Sequence, residues 1–530
     1  MKMSRAAQFK RTLRRAVRRN KFDLSHEKRL TADMFMLTPV LLDDCIPGDV
    51  WRIGNEIIIR MNPLVAPFMH EVNCYVHYYF VPYRLLWQDW EKFMTGGQDG
   101  KYTAELPRQT NGNRTESSLW DYFGFNVLSG SQTIAKNPLV FPRRAYNFIY
   151  NNFYRDPNIM PEVDLDWTND PTKDLHVRCW EKDYFTSMLP WQQRGTAPSI
   201  DIQLLNANAK AIFNQRMIQY GDINGAYYSF GLDGGNGVPF RLVPTGIPNN
   251  MSQNDINAAN NTITNALNNN TINLSDVSTV GFDVKDIRMA FAVQRFLERN
   301  ARGGARYVEF LKNQYNAFPR DDRLQRPEYI GGTKTPIIIS EVLQTSSSDA
   351  STPQGNMAGH GLSADRTYAA SYKVQEHGLI MGIMSIMPRT MYSQGIDRVW
   401  LKDSKYDFYF DVFANLSEQA VYVEELYNYG PSPIDRVIGY QGRYDEYRYK
   451  RNTVHGKFRT DFEYWHLGRK FANHPTLNAD LVRANDQERY DMKRIMAVPS
   501  EPMFLITFGN RCHVTRGMPY IAEPGLIDHN

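Results

Sequence analysis

Residues 72–81, VNCYVHYYFV, alternate without a break. Val72, Cys74, Val76, Tyr78 and Phe80 fall on one side of an extended chain, and Asn73, Tyr75, His77 and Tyr79 fall on the other. A period of two predicts a strand with one dry face and one mixed face. At about 3.3 Å per residue it would span roughly 33 Å, which is long for a strand. Pro82 has no N–H to donate and ends it. A short helix is predicted next, with Leu86, Trp90 and Phe93 on one face and Gly96-Gly97 as its stop. A strand of that length feeding an apolar helix needs a large sandwich to sit in.

The chain has 530 residues, enough for one large elaborated domain or two to three smaller ones. Its net charge of +4 hides an asymmetry. Residues 1–21 carry nine Lys or Arg and no acid, which leaves 4 − 9 = −5 for the remainder. The 31 Tyr suit wide interfaces, since each ring contributes area and a polar tip at low entropy cost, and they suit a large aromatic core equally well. Cys45, Cys74, Cys179 and Cys512 make no C-x-x-C pair and read as free buried thiols in a reducing cytoplasm. The best apolar run, Gly378 to Met387, is half the length of a membrane span and predicts a buried strand, so no stable membrane insertion is expected. No apolar stretch follows the basic start, so the chain is expected to be made in a cytoplasm and to stay there until released.

In residues 1–21, Phe9, Leu13 and Val17 share one helical face, and Arg11, Arg14, Arg15, Arg18 and Arg19 cover the rest. Such a segment suits a nucleic-acid arm, a membrane-surface helix or a targeting peptide, and a solvated basic tail has the same composition. The candidate nucleic-acid residues are Lys10, Arg11, Arg14, Arg15, Arg18, Arg19 and Lys21. Full engagement of the nine charges with single-stranded DNA would give a salt slope of about −6, at about 0.7 per charge.

Farther on, Glu56 to Arg60 reads as strand. His70 and Cys74 fall on one face of the long strand and His77 on the other, so the three cannot converge on a metal. Residues 98–190 are too long for a bare loop and must carry helices and ribbons of their own. Residues 201–283 change character: no Lys or Arg lies between Leu242 and Val284, and residues 249–273 hold eleven Asn. A polar, low-complexity insertion of this kind cannot bury a core of its own. Its Gly231-to-Gly237 run lacks the Lys and helix start of a phosphate loop. Asp283 to Asn300 predicts a helix with Ile287, Ala290, Phe291 and Leu297 as its apolar stripe. Strands are then predicted at Pro336 to Ser340, Gly378 to Met387, Tyr406 to Phe413 and Met503 to Phe508, the density of a sandwich or barrel. Glu446-Tyr447-Arg448-Tyr449-Lys450 interleaves rings with cations and reads as an intersubunit strand more readily than as a base-stacking clamp.

Several extended runs resemble those of one family. They are Phe22-Asp23-Leu24-Ser25-His26, then Phe80-Val81-Pro82 with Arg84-Leu85-Leu86-Trp87 and Thr95-Gly96-Gly97. Asp183-Tyr184-Phe185-Thr186-Ser187 with Leu189-Pro190-Trp191 is another, and so is Phe296 to Tyr307, with Asn300 where the family usually has Asp. Leu324 to Gly332, and Arg516 to Tyr520 with Pro524 to His529, complete the set, Gly517 standing where Pro is usual. The chain resembles the major capsid proteins of the microviruses, small icosahedral single-stranded DNA phages, most of all the gokushovirus branch. The resemblance implies a mainly β fold: an eight-stranded antiparallel jelly roll with long helical and loop insertions. It implies a T=1 icosahedral homo-oligomer around a circular single-stranded DNA genome, found in the virion and assembled in the host cytoplasm. The implied partners are an internal scaffolding protein, a minor DNA-pilot protein and a host surface receptor. No cofactor is implied; bound calcium is compatible with the analogy, without ligands to assign.

On this reading residues 1–29 are a basic interior arm, 30–200 the first part of the jelly roll, 201–283 a surface insertion and candidate threefold protrusion, and 284–530 the helix, remaining strands and tail. The chain has no G-x-S-x-G elbow, H-E-x-x-H or Walker loop, and no enzyme is expected. A carbohydrate-active β-sandwich enzyme and a monomeric single-stranded nucleic-acid-binding protein are the competing classes.

Overall fold

A computed structural model describes residues 19–110, 114–128, 132–166, 175–198, 218–220, 228–232, 242–245, 284–304, 306–343, 357–416, 418–431 and 436–521. The chain divides into two units, one of Met1–Arg194 with Leu297–Asn530 and the other of Gly195–Phe296.

The strands in chain order are β1 (Asn20–Asp23), β2 (His26–Ala32), β3 (Thr38–Cys45), β4 (Val50–Met61), β5 (Val72–Pro82), β6 (Ile218–Tyr220), β7 (Tyr228–Leu232), β8 (Leu242–Thr245), β9 (Glu328–Leu343), β10 (Met357–Lys373), β11 (Gly378–Pro388), β12 (Gln419–Tyr422), β13 (Val437–Gln441) and β14 (Phe504–Arg516). In the second unit β6, β7 and β8 form a three-stranded antiparallel ribbon. The rest of the 201–283 insertion lies outside the described residues, as do residues 1–18 and 522–530.

In the first unit β1 and β2 both pair with β14, one at each end, and act as a single strand interrupted at Leu24-Ser25. Counting them as one, eight strands pair in two ribbons. One runs β2-β14-β4-β10, first-last-third-sixth along the chain; the other runs β3-β11-β5-β9, second-seventh-fourth-fifth. Every neighbouring pair is antiparallel. That winding is the jelly roll, a doubled Greek key. The long hairpin of β9 and β10 joins the two ribbons.

Alternation explains the first ribbon. In β14, Phe504, Ile506, Phe508, Cys512 and Val514 point inward, and in β4, Trp51, Ile53, Ile57 and Ile59 do the same. They pack against Cys74, Val76, Tyr78 and Phe80 of β5 and Ile380, Met384 and Ile386 of β11. Burying each such side chain contributes about 1.5–3 kcal/mol.

The second ribbon is buried on both faces. β5 was expected to keep one mixed face, yet ten of its eleven residues are buried, with His77 the partial exception. β11 is buried throughout, as its apolar run predicts. The reason is a third layer. A helix at Phe141–Ile149, opened by Pro142 in its first turn and continued by a π-turn at Tyr150–Tyr154, lies over Tyr79, Val81, Leu379, Met381 and Ile383. Two polar residues of β5 are satisfied there: His77 Nδ1 lies 2.9 Å from the Tyr154 hydroxyl, and Tyr79 donates to that hydroxyl at 3.2 Å.

The helix expected after β5 is two pieces, Tyr83–Leu86 and Trp90–Thr95, because Trp87 between them is extended. Gly96 stops the second in the left-handed conformation at φ 76°. The long helix runs Val284–Gly303. Tyr406 to Phe413 is not a strand. It forms two 3₁₀ turns, Lys405–Asp407 and Asp411–Phe413, because Ser404 and Asp407 cap the first and no strand among the described residues pairs with the segment. Asp445–Arg448 is likewise a helical turn rather than a strand, entered through Tyr444 at φ 63°.

Candidate nucleic-acid interface

Among the described residues, the outer face of the β2-β14-β4-β10 ribbon has no covering layer like that over the second ribbon, apart from residues 116–124 at its Arg29–Arg60 end. Cross-strand register decides which residues it presents. Thr507 faces Arg29 on one side and Ile58 on the other; Leu505 faces Thr31 and Arg60; Gly509 faces Glu27 and Glu56. Across β4 the same face continues into Leu362, Ala364, Arg366 and Tyr368, then Ser371 and Lys373 past a bulge. Past Leu24-Ser25, β1 contributes Lys21 opposite Thr515 and Asp23 opposite His513.

This face holds Lys21, Arg29, Arg52, Arg60, Arg366, Lys373 and Arg511, against Asp23, Glu27 and Glu56. Two of the carboxylates already have neighbours. Glu56 lies 3.9 Å from Arg366, both exposed, and Asp23 lies 3.4 Å from His513. The Ser25 hydroxyl and backbone N–H hold the Asp23 carboxyl below its ordinary range. Arg29, Arg52, Arg60 and Arg511 enter no ion pair among the described residues. Arg29, Arg52 and Arg60 are exposed and Arg511 is half-buried; guanidinium groups without a carboxylate partner are free to fork onto phosphate.

The centre of the face is flat. Gly54 lies between Arg511 and Tyr368, and a Cβ there would meet the Thr367 carbonyl oxygen at 2.9 Å. A groove of about 790 Å³ runs along the Arg29–Leu505–Arg60 end, walled on the other side by Glu116, Ser117, Asp121 and Tyr122.

Of the residues expected from sequence, Lys10, Arg11, Arg14, Arg15 and Arg18 lie outside the described residues. Arg19 is exposed beside the Gly48 turn, and Lys21 joins the sheet face. The chain is regular strand from Asn20, ahead of the residue-29 boundary expected for the arm. The sheet cations were not anticipated. Arg52, Glu56 and Arg60 alternate visibly in β4, but only the pairing shows that Arg29, Arg366 and Arg511 stand beside them.

A second cavity, of about 920 Å³, opens beyond β5 and is lined by Arg178, Arg306 and Arg326 with Tyr79, Phe153 and Tyr329. Its acids are engaged: Glu181 with the Tyr75 hydroxyl, Asp156 with Lys182, Glu309 with Arg306 and Asp321 with Arg326. The two histidines considered for a metal face different partners, His70 the Arg389 carbonyl and His77 Tyr154. Among the described residues no three His, Cys, Asp or Glu side chains are grouped to hold a metal ion, and no helix is long and apolar enough to cross a membrane.

Comparison with known proteins bears on this architecture directly. The family model described as capsid protein (F protein) matches residues 12–526. Capsid protein VP1 of Chlamydia phage 1 is 30% identical over 580 aligned positions, covering 96% of each chain. Capsid protein VP1 of Bdellovibrio phage phiMH2K is 32% identical over 490, covering 88% of each, and that of Spiroplasma virus 4 is 27% identical over 539, covering 96% of this chain and 95% of its own. With a jelly roll, a bare basic sheet face and similarity along nearly its whole length, the chain belongs to the microvirus capsid protein family: it is a structural protein of the virion, self-assembling and not an enzyme.

Proposed function

We propose that this protein builds a T=1 icosahedral shell around a circular single-stranded DNA genome, with the bare face of the first ribbon and the basic N-terminal segment lining the interior. The observation that carries this is the sheet face, where seven cations stand against three carboxylates and Lys21 leads directly from the basic segment onto it. Phosphate contacts made by such side chains are independent of sequence, which suits a genome that must be held everywhere along its length. Individually weak contacts between copies, repeated around closed symmetry, close the shell.

The Asn-rich insertion of residues 201–283 is the host-contacting protrusion, and an internal scaffolding protein and a minor DNA-pilot protein take part in assembly within the host cytoplasm. The test is electron microscopy and sedimentation of the full chain expressed with the other structural genes of its phage. Uniform small shells holding nuclease-protected circular single-stranded DNA are expected. Deleting residues 1–18 leaves shells that package less DNA. Folded protein that yields only monomers or small oligomers in the presence of its scaffold would sink the proposal.

A further inference from the structure

The segment from Ile396 to Leu416 is rich in apolar residues, yet none of its residues is buried. Trp400 is 80% exposed, Val412 84% and Phe408 56%, and Tyr406, Tyr409 and Phe410 are each about half exposed, beside Tyr447 at 48%. At roughly 200 Å² per ring, the six rings leave on the order of 600 Å² of aromatic surface uncovered. Summed over the segment, that is at the upper end of the largest apolar patch of a typical monomer and approaches the roughly 800 Å² per partner of a stable interface.

The patch is held in place. Tyr444 is buried, and its hydroxyl donates to the Phe408 carbonyl at 3.0 Å while accepting from the Phe410 N–H at 3.2 Å. Arg443 donates to the Tyr406 carbonyl at 2.9 Å. The Lys402 ammonium sits 4.2 Å from the Phe408 ring centre and 4.9 Å from that of Tyr447. A backbone fixed in this way loses little freedom on docking.

We infer that this platform is a contact with a neighbouring copy of the chain in the shell, a reading that rests on assembly as proposed above. Two features select a second copy as occupant. A shell protein must bury apolar area against copies of itself, and aromatic centres are what such interfaces use. The patch also mixes Asp403, Asp407 and Asp411 with Lys402, Lys405 and Arg443, so identical copies approach it without single-sign repulsion.

The test uses Val412→Cys, since the four native cysteines are all buried. Maleimide labelling at position 412 is expected to be fast in dissociated subunits and at least tenfold slower in shells; equal rates would overturn the inference. In parallel, Trp400→Ser combined with Val412→Asp is expected to give subunits that melt as wild type does but do not assemble. Shells at wild-type yield, with or without loss of host adsorption, overturn it too. If that double variant does not fold, the labelling result decides. If the wild-type chain forms only small oligomers, the shell reading fails, while protection of the introduced thiol in those oligomers still decides the patch.

Discussion

Arg469 is wholly enclosed, and its Nε donates to Glu488 Oε1 at 2.7 Å. The pair fastens the helix Asp486–Met492 to the interior beneath Trp180, whose ring lies 4.9 Å from the guanidinium, while Nη2 also donates to the Leu481 carbonyl at 2.9 Å. Burial pushes the Glu488 carboxyl up and Arg469 draws it back down. Removing the cation alone leaves a carboxylate with no counter-charge inside the protein. Arg469→Met is expected to cost about 3–5 kcal/mol in chemical denaturation, and adding Glu488→Leu should recover a substantial part. Equal losses in the single and double variants would refute the account.

Burial lowers His70 and His77 to about 4 and His176 to about 3. His176 is stacked between Tyr146 and Tyr150, with its Nε2 2.9 Å from Asn147 Oδ1. These rings stay neutral in the folded chain while an unfolded chain takes up protons near 6.5. Stability is therefore full above about pH 6.5 and falls as pH drops toward 4 and then 3. Burial raises Asp43 and Glu425, which bends the curve the other way. Thermal melts of unassembled subunits from pH 7.5 to 4.5 should show a falling midpoint. His176→Gln should flatten the fall, and an unchanged slope in that variant would count against a neutral buried ring.

Arg52 and Arg511 are neighbours of His513 and Gly54 on the bare ribbon face. Replacing both with Gln removes two phosphate partners at little structural cost. The salt slope of single-stranded DNA binding should shrink by about 1.4, at about 0.7 per charge, with stability within about 0.5 kcal/mol of wild type. Lys92→Gln with Lys101→Gln, away from this face, serves as control and should leave the slope alone. A shared slope across all three proteins would remove the face from the binding account.

Burial raises the Cys74 and Cys512 thiols to about 12 and Cys179 to about 11, and pushes Cys45 up as well. A thiol reagent at pH 8 should find none of the four in the native subunit and all four after denaturation. Fast reaction of any one in folded protein would contradict the packing described for it.

β5 and β11 were legible in the sequence because an unbroken alternation and an unbroken apolar run leave few other options. The two-sided burial of β5 was not, since its cover comes from a helix nearly seventy residues later whose docking no local pattern states. β10 went unrecognised because Gly359, Gly361, Ala364 and Ala369 dilute its period. Tyr406 to Phe413 read as strand because aromatic residues favour strands, but a strand needs a partner and this segment has none among the described residues. The basic face was invisible for a similar reason: Arg29, Arg60, Arg366 and Arg511 meet only through pairing. The eight-stranded architecture itself came from extended family-like runs rather than from periodicity.

The strand made first and the strand made last hydrogen-bond to each other, and the Asn20 side chain donates to the Met518 carbonyl 498 residues away. At roughly 5–20 residues per second, the ribosome needs about half a minute or more to join those ends. Until it does, the first ribbon lacks its second strand, and Arg511 is not yet beside Arg52. A nascent chain therefore carries neither the finished sheet nor its row of cations. Synthesis itself acts as the clock: only a completed chain can close its edge, and until then β2 and β4 each keep an unpaired edge where β14 will lie.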